Sequence, residues 1–183
     1  MKAILISIKP RFVADILNGK KALEIRKTFP KCKYPIDVYI YCTRENIRKT
    51  PLFVNSRVGN GKVVAKFTLR KIKQVSIWDE NLETKTLGPA CLDCYEFDAY
   101  TKGHVGYAWH IDDLVVFDKP MELYNFKHPT PDICGKRDEN GLVLCGKCIY
   151  GREYQFYCEC LLPTVKAPQS WCYVELNKNI RRR

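Results

Sequence analysis

The strongest constraint on this chain's fold is the run from Ser7 to Lys27, where a strand, a short helix and a second strand follow with little slack. Residues 3–8 are apolar enough for a buried strand. Pro10 suits the first position of a helix entered through Lys9, because its missing N–H would have no partner there anyway. Phe12, Val13, Ile16 and Leu17 recur at helical spacing and make one apolar face. Asn18-Gly19 then supplies a left-handed stop. In the strand beyond, Leu23 and Ile25 point one way, and Ala22, Glu24 and Arg26 the other. Lys21 is out of phase with the two charged residues, so a bulge or the strand mouth must bring it to the same rim. Two cations and one carboxylate at a tight helix-to-strand joint are suited to holding something polar or anionic.

Further along, Asp37–Tyr41 forms a third strand. Asn60-Gly61 is a hairpin signal leading into Lys62–Leu69, where Val63, Ala65, Phe67 and Leu69 share a face. Lys66, Arg70, Lys71 and Lys73 make the other side of that region basic. A short helix is expected over Leu92–Tyr100, a strand pair within Gly106–Phe117, and a closing strand at Trp171–Leu176. Several strands with two short helices, spread over non-adjacent segments, predict an α+β fold: a small mixed β-barrel with helices attached. No repeat, serine-nucleophile motif or phosphate loop occurs.

Composition narrows the class of partner. The 183 residues suffice for one buried core, or one domain with an insert. No apolar run approaches the roughly 20 residues of a membrane span. The first residues run directly into a strand pattern, so the expectation is a soluble, cytoplasmic protein with no membrane association. A net charge of +11, from 31 Lys and Arg against 20 Asp and Glu, favours polyanionic partners.

Ser7-Ile8-Lys9-Pro10, Gly19-x-Lys21-x-x-Glu24-x-Arg26, Gly106-Tyr-Ala-Trp109-His110-Ile111, Lys119-Pro120 and Pro168-Gln169-Ser170-Trp171-Cys172-Tyr173 together resemble the ASCH family of the PUA-like superfamily, in the type carried by phages and mobile elements. The resemblance covers residues 1–126 and resumes at 168–177, leaving 127–167 as an insert and 178–183 as a basic tail. It implies a PUA-like barrel with a cleft beside it that receives RNA or a modified nucleotide. The cleft residues would be Lys9, Lys21, Glu24, Arg26, Gln169, Ser170 and Trp171. Arg26 suits a phosphate or carbonyl through its planar fork. Glu24 suits an exocyclic amine, or fixes Arg26. The bland alternative is an ordinary ion pair on a strand face.

One branch of the family resembles an amidohydrolase of N4-acetylcytidine that uses a lysine, a threonine and a glutamate. Here Lys21 carries over, and Glu24 stands where the threonine would be. The catalytic candidates are therefore Lys21 and Glu24, although a carboxylate does not reproduce a hydroxyl nucleophile. Trp109 is expected in the core with its indole N–H bonded; Trp171 divides between core and base-stacking roles. His110 is the histidine nearest the expected cleft wall, with a structural role favoured.

Residues 127–167 break the periodic pattern and crowd five cysteines together. The spacing Cys134-x10-Cys145-x2-Cys148-x9-Cys158-x-Cys160 has the make-up of a zinc knuckle, because a two-residue gap lets both sulfurs of a pair meet one ion. The preferred structural zinc set is Cys134, Cys145, Cys148 and Cys158, with Cys160 the rival for the last place. Three functions follow: a binding module for RNA or a modified nucleotide, an N4-acetylcytidine amidohydrolase, and a zinc-stabilised protein-interaction adaptor.

Overall fold

A computed structural model describes residues 2–44, 60–129 and 167–176. The proposed zinc ligands Cys134, Cys145, Cys148, Cys158 and Cys160, and the basic tail, lie outside the described residues.

The first three elements match the sequence expectation closely. Strand β1 (Lys2–Ile8) is buried from Ala3 onward. Helix α1 (Pro10–Leu17) starts at Pro10 with Lys9 as an extended N-cap, and its Val13 and Ile16 face the core. Its end is a two-bond glycine cap: the Gly19 N–H donates to Ile16 O at 3.0 Å and the Lys20 N–H to Asp15 O at 2.9 Å. Gly19 takes φ +71°, a conformation that a side chain would strain. The Lys21 N–H also donates to Asp15 O, at 3.0 Å, so the helix end itself sets where Lys21 leaves the turn. Strand β2 (Leu23–Arg26) follows, buried throughout.

The remaining strands are β3 (Ile36–Cys42), β4 (Val63–Leu69), β5 (Ile72–Val75), β6 (Gly106–His110), β7 (Asp112–Met121), β8 (Phe126–Lys127) and β9 (Trp171–Leu176). A π-helical turn (Glu83–Leu87), the one-turn α2 (Gly88–Ala90) and α3 (Cys94–Thr101) lie between β5 and β6. At the start of β4, Gly61 adopts φ +85°, and its N–H donates to Cys42 O at 2.8 Å, joining the antiparallel β3–β4 pair.

The expected mixed α+β architecture is present, with its sheets not closed on one another among the described residues. Among the described residues the strands form two open sheets: a six-stranded one in the order β7-β4-β3-β1-β9-β8 and a three-stranded one in the order β2-β6-β5. The expected strand pair within Gly106–Phe117 does not pair with itself. β6 joins the small sheet, and β7, one residue later, joins β4 in the large one. Asp113 at φ +48° lies at this corner, where the chain changes sheet.

The small sheet is covered on both faces. One face packs Leu23, Ile25 and Ala108 against Leu87 and Phe97 of the helical segment. On the other, Trp109 joins the principal core formed by Ile4, Ile6, Val38, Phe67 and the α1 face. Trp109 is fully buried as expected, but its indole N–H has no hydrogen-bond partner. A third cluster lies across the large sheet, where Tyr39 meets Phe126 at 5.0 Å between ring centres.

Candidate functional site

Cross-strand register decides which side chains reach the site. Glu24 pairs with Trp109 and Arg26 with Tyr107, so these four share the face of the small sheet that turns toward the large one. Leu23 pairs with His110 on the opposite face. Among the described residues, His110 accordingly does not line the cavity; strand alternation turns it away.

Lys21, Glu24 and Arg26 converge. Glu24 Oε2 lies 3.3 Å from Lys21 Nζ, and Glu24 Oε1 lies 2.9 Å from an Arg26 terminal nitrogen, Nη2. All three side chains are at least nine-tenths buried, so this is a buried cluster of two cations around one carboxylate. The surroundings satisfy much of the rest. Lys21 Nζ donates to Ala90 O, and the ammonium lies 4.8 Å from the centre of the Phe12 ring. Arg26 Nη2 donates to Ser7 O at 2.6 Å, and Nη1 to Ser170 Oγ at 3.3 Å. Arg26 Nε is buried without a partner.

Arg26 is therefore a clasp between β1, β2 and the segment entering β9. Ser7 tightens the same junction: its N–H donates to Ser170 O at 2.9 Å and its hydroxyl to Pro168 O at 2.6 Å.

A cavity of about 690 Å3 opens at this junction. Of the seven residues expected in the cleft, Lys9, Lys21, Glu24, Arg26, Gln169 and Ser170 line it. Trp171 does not. It stands beside the cavity, stacked edge-on against Trp109 at 5.7 Å, with its indole N–H donating to Thr28 Oγ1 at 3.1 Å.

Other wall residues escaped sequence reasoning. Tyr41 comes from the end of β3 and Arg44 from two residues beyond it, Tyr100 from α3, and Arg11 and Phe12 from the start of α1. Phe12 carried a signal only as part of the apolar helix face, where it looked like core. Tyr100 and Arg44 carried none, because nothing local in sequence ties them to β2. Burial pushes the Tyr100 phenol above its ordinary pKa, and the nearby Arg26 works against that shift.

A two-layer junction of this kind, with a short helix after the first strand and a charged cavity beside it, is an α+β fold that solved ASCH structures share. The chain is similar to ASCH from Zymomonas mobilis at 24% identity, covering 66% of this chain and 73% of that one, with a TM-score of 0.51. A tyrosine-to-phenylalanine mutant of that protein matches at 22% identity over 67% and 77% of the two chains, with a TM-score of 0.50. At this identity the likeness is one of fold. No protein-family model matches the chain, and no curated protein does.

Among the described residues, no group of three or more His, Cys, Asp or Glu side chains is placed to hold a metal ion. Among the same residues no helix is long and apolar enough to cross a membrane.

Proposed function

We propose that the chain is a binding module that takes a nucleotide unit, within RNA or in modified form, into the cavity beside β2. The observation that carries this reading is the buried cluster of two cations around a single carboxylate in the cavity wall. It leaves excess positive charge where water screens it less than at the surface. The volume of about 690 Å3 falls within the range of about 300–1,000 Å3 typical of small-ligand sites. Phe12 and Tyr100 offer ring surfaces to a base, and the exposed Lys9 and Arg44 offer charge to phosphates, whereas Arg11 is held by Glu96 at 2.6 Å. The overall charge of +11 suits a polyanion.

The wall is rich in donors. Each Glu24 oxygen already accepts from a cation, so the wall favours ligand acceptors, a phosphate or a carbonyl oxygen, over an exocyclic amine. The same engagement gives the hydrolase reading little support, because a general base must be free to take a proton from water.

The test is titration of labelled single-stranded RNA at several salt concentrations. Log affinity should fall linearly with log salt, and Lys9→Ala or Arg44→Ala should each reduce the slope by about one without changing the melting temperature. Arg26→Lys keeps the charge but loses the fork, and should weaken binding further. Wild-type affinity in all three variants would refute the cavity as the site. Chromatography after incubation with N4-acetylcytidine should show no product; a product that vanishes in Lys21→Ala would overturn the binding-only reading.

For the cysteine-rich segment the reading stays that of the sequence: a structural zinc held by Cys134, Cys145, Cys148 and Cys158 or Cys160. Purified protein should carry about one zinc ion per chain by elemental analysis. A protein-interaction adaptor role would require that zinc.

A further inference from the structure

We propose that an aromatic strip outside the cavity is a second nucleotide subsite, so that the ligand is a single strand of RNA extending past the bound unit. This rests on the nucleotide-binding reading of the cavity and extends it.

The strip starts where the cavity stops. Arg26 in the cavity wall is the cross-strand partner of Tyr107, and Tyr107 packs against Phe29 with ring centres 4.7 Å apart and planes tilted by 50°. On the other side, Ser170 in the wall is followed by Trp171, which packs edge-on against Tyr173 at 5.6 Å. Thr28, hydrogen-bonded to the Trp171 indole, ties the two sides together. The rings thus rim the principal core instead of filling it: Tyr107, Trp171 and Tyr173 are only partly buried, and Phe29 is 39% exposed.

Charge identifies the occupant. The segment Lys27-Thr28-Phe29-Pro30-Lys31-Cys32-Lys33 contains three lysines, all exposed, and no acidic residue. Lys2, also exposed, sits 4.6 Å from the centre of the Tyr173 ring. The nearest acidic residue downstream, Asp37, is already paired with Lys66 at 3.0 Å. Lys2 is the cross-strand partner of Glu175, which also meets Lys127 at 3.7 Å, so the charge excess lies with Lys27, Lys31 and Lys33. Rings flanked by exposed lysines suit single-stranded nucleic acid: bases stack on the rings while the cations follow the backbone. An apolar peptide would find no use for the lysines, and a free nucleotide would leave the rings uncovered.

The experiment compares two probes, a short fluorescent oligocytidylate and cytidine 5′-monophosphate. Phe29→Ala should weaken the oligonucleotide about tenfold and leave the mononucleotide unchanged, and Phe29→Trp should restore the loss. The double variant Lys31→Ala/Lys33→Ala, at two exposed positions, should lower the salt slope for the oligonucleotide by about 1.4. Wild-type oligonucleotide binding by both the Phe29 and the lysine variants, with Arg44→Ala still impaired, would overturn the strip and leave the cavity standing. Equal losses for both probes in Phe29→Ala would also overturn it, since Phe29 would then act through the cavity. No binding of either probe by the wild-type protein would remove both proposals.

Discussion

The Lys21–Glu24–Arg26 cluster and the Arg70–Asp113 pair are similar in contact distance and opposite in environment. The first spans 2.9 and 3.3 Å with side chains at most 8% exposed. The second is closer, at 2.5 Å, with side chains 53% and 60% exposed. Distance alone would rank the surface pair first. Burial reverses the ranking. Stripping water from an ion costs several kcal/mol, so a buried cluster persists only where added hydrogen bonds complete it, as Ser7 O, Ser170 Oγ and Ala90 O do here. The exposed pair loses little water and returns little stability. A charge cluster that carries such a desolvation cost beside a cavity is one whose position matters, which is why the functional reading rests on it and not on the shorter contact.

Removing the carboxylate should give the largest effect. Glu24→Ala leaves two buried cations facing each other and should destabilise the fold by about 3–5 kcal/mol, read from the urea midpoint. A loss no larger than that of a surface pair would erase the contrast. Replacing the whole cluster, as Lys21→Met/Glu24→Leu/Arg26→Met, should recover most of that stability while abolishing RNA binding, because desolvation cost and attraction disappear together. Stability and binding lost in step would mean that the cluster serves the fold alone.

Smaller effects belong to the surface. Arg11 and Glu96 meet at 2.6 Å with side chains 52% and 35% exposed, so Arg11→Ala should cost about 0.2–1 kcal/mol in thermal unfolding. The smallest change is expected at Asp113. Arg70 holds its carboxyl below the usual aspartate range, so the pair's contribution is present at neutral pH and is lost as pH falls through the folded-state pKa. Asp113→Asn should therefore lower the melting temperature only slightly at neutral pH. That difference should vanish on the acid side, where wild type has lost the pair too, and fade with added salt.

Legibility followed the range of the interactions. The start and stop of α1 were readable because Pro10 and Asn18-Gly19 act on their own backbone. The opposed faces of β2 were readable because alternation is intrinsic to an extended strand. The meeting of Lys21 with Glu24 and Arg26 was foreseen as a requirement, and the capped helix end supplies it. The partition of β6 and β7 into different sheets was not readable, since both carry the same strand chemistry and differ only in distant partners. His110 looked close to the cleft along the chain, yet register with Leu23 faces it the other way.

Sequence alone therefore determined the local frame: a strand, a capped helix, a second strand with charges on one side, and a basic chain with clustered cysteines. Tertiary structure alone decided that the charges would be buried, that Tyr100 and Arg44 would join them around one cavity, and that Trp171 would stand outside it. The physical reason is that caps and alternation are set by neighbouring residues. Burial and cavity walls are set by segments as much as 161 residues apart, whose pairing no local pattern encodes.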